Sequence, residues 1–197
     1  MATNKLTSLL VMLILALSFQ SFSKADDIRD LQIEGISIGD SLLDYMSLQE
    51  IQQTSKFDYS GKYTGIVLND KTFGNYDDIQ LTYKNNNKYI IHAVEGRIHF
   101  NKKKLSECLG LKNKIELKLS QIFNDTRITR DKKSKHTYDK TGKSFFYATW
   151  YNFKDGSTAS IICFDWSKRI EKNITDKLTV GMATNVFNKF LNNEAYK

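Results

Sequence analysis

The chain has 197 residues, of which 41% are hydrophobic and 12% aromatic, and it carries a formal net charge of +7. This composition excludes a disordered or collagen-like polymer, and the length suits one domain that buries its own core. Two cysteines allow one pairing and exclude a multiply cross-linked mini-scaffold.

The first 25 residues have the layout of an export signal: Lys5 and the amino terminus supply positive charge, and residues 9–17 are unbroken apolar sequence. Nine residues are too few to cross a bilayer, which takes about 20, so an uncleaved anchor is disfavoured. Ser23-Lys24-Ala25 places small residues where signal peptidase reads, which predicts cleavage between Ala25 and Asp26. No cysteine lies there for lipid attachment, and no later stretch is long and apolar enough for a transmembrane segment. The expectation is a periplasmic or secreted protein with a single domain over residues 26–197.

In chain order, residues 31–39 read as a short extended entry closed by Gly39. Ser47-Leu48-Gln49-Glu50 has capping-box form and marks a helix start, with one helix or two short ones in this region. From Lys62 to Phe100 the apolar period becomes two, and KYTGIVLN, DDIQLTYK and KYIIHAVEGRIHF predict three antiparallel strands. Leu105, Cys108, Leu109, Ile115, Leu119, Ile122 and Phe123 then fall on one helical stripe, which Lys112 interrupts. SFFYATWYNF and STASIICFDW flank Asp155-Gly156, a hairpin signal. A two-residue loop there would set Ala148 opposite Cys163, with Ala148, Trp150, Ala159, Ile161 and Cys163 on one face. KLTVGMAT predicts a last strand. TNVFNKFLNNEAY predicts a terminal helix with Val186, Phe187, Phe190 and Leu191 inward and Thr184 or Asn185 as its cap.

This order predicts an α+β fold: an antiparallel sheet of five to seven strands, one long central helix, and short N- and C-terminal helices. Helix-then-strands occurs twice, at residues 40–100 and 103–166, without a residue-level repeat. In an oxidising compartment Cys108 and Cys163 would pair and fasten the long helix to the hairpin's inner face. The loop of about 56 residues corresponds to about 4 kcal/mol in the chain-entropy model. Two independent buried thiols are the alternative.

Without the signal the chain holds 27 basic and 22 acidic residues, and the whole excess of +5 lies in residues 127–143, RITRDKKSKHTYDKTGK. Arg127, Arg130, Lys132, Lys133 and Lys135 are therefore candidates for contact with an anionic envelope surface, against the plainer reading of a solvated loop. No nucleic-acid recognition motif accompanies them.

Chemistry is sparse. His92 and His99 stand seven apart on one predicted strand and so point to opposite faces unless a bulge intervenes, and His136 lies in the basic stretch, which leaves no metal-ligand spacing. No catalytic or cofactor-binding motif occurs. Cys163 reads as core rather than nucleophile. Tyr147, Tyr151, Phe153 and Trp166 would form a stacking platform if exposed; core is the expected reading.

GISIGDSLLDY, YDKTGKS, FKDGSTASIICFDWS and FNKFLNNEAYK together resemble a family of small signal-peptide-bearing proteins of marine, AT-rich alphaproteobacteria. That family has no assigned activity to carry over. The entry GISIGDSLLD also resembles the outer-membrane-assembly lipoproteins of the SmpA type, from which this longer chain departs in lacking a lipobox cysteine. The sequence thus predicts a non-enzymatic exported protein acting on an envelope component or a protein partner. The rival is a small exported hydrolase whose site assembles only on folding.

Overall fold

A computed structural model describes residues 27–69, 73–86, 88–100, 105–123, 125–170 and 174–195. The predicted signal, with Ala25 and Asp26, lies outside them. The strands are β1 (Lys56–Tyr59), β2 (Tyr63–Leu68), β3 (Asp78–Lys84), β4 (Ile91–Phe100), β5 (Arg127–Lys135), β6 (Phe145–Asn152), β7 (Thr158–Asp165) and β8 (Asp176–Ala183). The α-helices among the described residues are α1 (Leu48–Gln53), α2 (Leu105–Ile122) and α3 (Asn185–Asn193).

All eight strands form one antiparallel sheet in the order β1-β2-β3-β4-β8-β7-β6-β5. The class is α+β as expected, but the predicted count of five to seven strands is too low. The additions are β1 and β5, both at sheet edges. The order is palindromic, since each half is a helix followed by a four-stranded meander and the two meanders meet where β4 pairs β8. The second unit therefore runs on to β8 rather than ending at residue 166.

Local chemistry accounts for the helix starts. Ser47 accepts from the Glu50 amide while Glu50 returns a bond to the Ser47 amide, so the predicted box opens α1. Thr184 caps α3, and Phe187 and Phe190 are buried beneath it. Val186, expected inward, is 57% exposed.

Side-chain alternation divides the sheet into two faces. One face meets α2 and holds the main core, including Ile66, Ile79, Leu81, Val94, Tyr151, Ile161 and Leu178, all at least 98% buried. The other is reached by α3 at one end, where Tyr63, Ala93, Phe187 and Phe190 make a second small core. Two glycines let aromatic rings lie flat on the strands: a Cβ on Gly65 would stand 2.1 Å from the Phe57 ring and one on Gly96 2.6 Å from the Tyr76 ring.

The β6–β7 hairpin corrects the predicted register. Its loop has three residues, Lys154-Asp155-Gly156: the Gly156 amide bonds the Phe153 carbonyl and Gly156 takes a φ of 87°. A turn followed by a left-handed glycine is the usual three-residue solution. Tyr147, not Ala148, therefore opposes Cys163, and Trp150 opposes Ser160. The slip of one residue sends Ala148 and Trp150 to the face away from α2, while Ala159, Ile161 and Cys163 stay inward as predicted.

Candidate functional site

On the face away from α2, the pairing of β3, β4 and β8 gathers Asp78, Gln80, Glu95, Arg97, His99, Lys177 and Thr179. Asp78 opposes Arg97, Gln80 opposes Glu95, Arg97 opposes Thr179, and His99 opposes Lys177. Antiparallel partners share a face, so the alternation within each strand suffices to bring these groups together.

Part of this cluster is locked. The Arg97 guanidinium donates to Asp78 and, at 2.7 Å, to Gln80 Oε1. His99 Nε2 meets Asp78 Oδ2 at 2.6 Å and its Nδ1 meets Thr175 Oγ1 at 2.8 Å. Asp78 and Arg97 side chains are only 9% and 11% exposed, so their charges depend on one another. With both ring nitrogens engaged, His99 has none left for a substrate, and it orients Asp78 instead.

Glu95 and Lys177 are different. Both are half-buried, and neither makes a hydrogen bond to a described residue. Burial pushes the Glu95 carboxyl above its ordinary value, with Lys177 and Arg97 pulling the other way. Burial, then Arg97, lowers the Lys177 ammonium, against Glu95 and Asp78. Lys177 Nζ stands 5.6 Å from the Phe164 ring centre. Beneath them the Thr179 hydroxyl is buried with no partner among the described residues. Trp150, Ile162 and Phe164 continue this face across β6 and β7, each half-buried. Phe164 stacks on Trp166 at 5.7 Å, and His136 lies 4.4 Å from the same indole. Two partly desolvated charges without hydrogen bonds, beside half-buried aromatics, can accept complementary groups from outside at little reorganisation cost.

The sequence candidates are placed as follows. Cys108 and Cys163 join α2 to β7, with sulfurs 2.04 Å and Cα atoms 6.0 Å apart. Arg127, Arg130, Lys132, Lys133 and Lys135 lie on β5, an edge strand rather than a loop. The strand disperses them: Arg130 donates to Glu116 at 2.6 Å, Lys133 sits 4.2 Å over the Phe145 ring, and Arg127 points to the opposite face from Arg130. Lysines on an edge also block pairing with another chain's strand.

His92 and His99 stay apart at the two ends of β4. A bulge opposite Thr82 and Tyr83 turns His92 to Thr184 Oγ1 at 2.9 Å and to the Tyr63 ring. Among the described residues no group of three or more His, Cys, Asp or Glu converges for a metal. No helix among them is long and apolar enough to cross a membrane. Tyr151 is core, its hydroxyl donating to the Glu116 carbonyl, and Trp166 is buried too. Tyr147 shares the Cys163 face and Phe153 packs on Phe123, so the aromatics of the opposite face are Phe146, Trp150 and Phe164.

Sequence reasoning missed the Asp78-Glu95-Arg97-His99-Lys177 cluster. The only signal available was charge at alternate positions of β4, in Glu95, Arg97 and His99. It also missed Lys112, the break in the α2 stripe, which is 93% buried and donates to Glu116 at 3.0 Å and Thr149 at 2.6 Å. No protein-family model matches the chain, and comparison with curated proteins finds no match either.

Proposed function

We propose that the chain is an exported, non-enzymatic binding protein whose contact surface is the sheet face centred on Glu95 and Lys177, and that its partner is a protein. The observation that carries this reading is the pair of half-buried, oppositely charged side chains without hydrogen bonds to described residues, flanked by Trp150 and Phe164. A protein surface bringing a carboxylate to Lys177 and a donor to Glu95 would satisfy both, and the aromatic flank supplies apolar contact. Export rests on the signal-like segment and on the cysteine pair, whose bond persists in an oxidising compartment.

A photo-crosslinking side chain at Ser160, on this face, should yield a discrete product with an envelope protein, and Lys177→Glu should abolish it. The same group at Leu117, 70% exposed on α2, should not capture that protein. Equal capture at both positions, or none at Ser160, overturns the assignment. The exported product should begin at Asp26 by mass spectrometry; retention of Met1 would refute the address.

A hydrolase is the second reading, and the raised Glu95 carboxyl beside Lys177 is what favours it. Turnover of an ester or glycoside that disappears in Glu95→Gln would establish that reading in place of the first. Dispersal of the β5 charges weakens the anionic-surface route. Salt-sensitive binding to anionic vesicles that is lost on reversing Arg127, Lys132 and Lys135 would restore it.

A further inference from the structure

The strand register sets the sheet face away from α2 in parallel rows. Glu95, Gly181 and Ser160 stand side by side in one row; two residues along each strand comes a middle row through Thr179, and beyond it a third with Lys177 and Phe164. On β6, Trp150 extends the first row and Phe146 the third. α3 stops one row short, where it packs on Ala93 and Asn188 bonds Thr158. Across β8 and β7 the first row is small, glycine and serine, and the third is large, lysine and phenylalanine. The Glu95 chain leans toward β8, since a Cβ on Gly181 would stand 3.1 Å from its Cγ.

This arrangement is complementary to itself. A two-fold axis along the middle row lays the first row of one copy on the third row of another. Gly181 and Ser160 then leave room for Lys177 and Phe164 of the second copy, and Trp150 meets Phe146. Lys177 of that copy arrives one strand from Glu95, about 4.8 Å to the side, which two long side chains can span. The rotation makes each contact twice, so the carboxylate and the ammonium of both copies are answered together. Burial already disfavours both charges in the single chain, so pairing them costs less further desolvation than pairing exposed groups.

We propose that in the free protein this face binds a second copy of the same chain about that axis, Glu95 of each copy against Lys177 of the other. The inference rests on the reading of the face as a contact surface and names the occupant that an envelope protein would have to displace. A foreign surface must bring an acid, a base and a matching relief, and this chain carries all three on one face.

The test is sedimentation equilibrium of the oxidised protein. Between about 5 and 500 μM, the range that suits a small interface, the parent should pass from monomer to dimer without larger species, because a two-fold contact closes on itself. Lys177→Glu sets acid against acid and Glu95→Lys sets base against base, so each variant alone should associate at least about a hundredfold more weakly. An equal mixture of the two should recover the parent's affinity, since one copy then carries two acids and the other two bases. Ser160→Trp, which fills the place of Phe164 without changing charge, should weaken association as much. A parent monomeric throughout, variants that dimerise like the parent, or a mixture no better than its components would overturn the proposal. A monomer whose Ser160 still crosslinks to an envelope protein removes the dimer and leaves the contact-surface reading; a dimer whose Ser160 crosslinks only to its own kind upholds the dimer and removes the envelope partner.

Discussion

In the first half of the molecule, the segment before α1 contributes Ile33, Ile36, Ile38 and Leu42 to the core that contains Ile66, Ile79 and Leu81. Backbone bonds from Gly39 to Ile91 and from Leu42 to Tyr89 tie it to the start of β4. In the second half an 18-residue helix crosses the equivalent face, fixed by the Cys108–Cys163 bond and by Lys112, which joins Glu116 and Thr149 in a buried network that Arg130 closes. One plan of helix plus meander is thus held by aliphatic burial on one side and by a covalent and ionic clasp on the other. The lesson concerns cost: burying apolar area needs only approximate fit, whereas a buried lysine stabilises only while every partner is present.

The largest expected effect comes from opening the clasp. Cys108→Ala with Cys163→Ala should cost up to about 4 kcal/mol, by the entropy of a loop of this length. Both tryptophans, Trp150 and Trp166, lie in the second half, so indole fluorescence reports that half while far-ultraviolet dichroism reports the whole. Coincident shifts of the two signals would show one cooperative unit, and an earlier fluorescence transition would show separable halves. Unchanged midpoints would mean that the bond stabilises nothing.

Next, Lys112→Ala should cost about 3 kcal/mol by taking from the partly buried Glu116 one of the two cations that hold it and from Thr149 a hydrogen-bond donor, and Ile66→Ala, in the first half, a similar amount through its cavity. Acid separates the two. Burial opposes ionisation of Glu116, but Arg130, Lys112 and Thr149 win and hold its carboxyl below the ordinary value. Its contribution is therefore present above the unfolded value of about 4.3 and is lost as pH falls through the folded one. The cost of Lys112→Ala should shrink in acid and that of Ile66→Ala should not, as denaturant melts at two pH values would show.

Gly96→Ala should cost about 2 kcal/mol, because the added methyl meets the Tyr76 ring and forces it off β4. An unaltered melt would show that the ring moves freely.

The smallest effect has the opposite pH sign to Glu116. The folded Glu95 carboxyl titrates above its unfolded value, so its ionisation weakens the folded state progressively as pH rises from about 4.3 through the folded pKa. Glu95→Gln should therefore be slightly more stable than the parent at neutral pH and lose that advantage in acid. A variant less stable at pH 7 would mean that Glu95 makes a stabilising contact.

The elements easiest to find were those with one wet and one dry face. β2, β3 and β4 alternate, α2 repeats at helical spacing, and the cysteine on its stripe points inward as expected. β5 escaped because its position at an edge leaves it no continuous apolar side, so RITRDKKSK reads as charge alone. β1, four residues long, gave too short a window for a period to register. Trp150 was placed on the wrong face because Asp-Gly serves both two- and three-residue loops, and one extra residue inverts a strand.

By itself the sequence determined the α+β class, the order of most elements, the helix cap at Ser47, the last helix's cap to within Thr184 or Asn185, and which two sulfurs could meet. These follow from local periodicity and from hydrogen bonds between residues a few positions apart. Only the tertiary structure decided that β4 lies against β8, about 80 residues later in the chain. That pairing puts Glu95 and Lys177 on one face, and the seating of α2 on the sheet brings Lys112 to Thr149 of β6, because charges and polar groups compensate through space and these contacts leave no trace in the spacing along the chain.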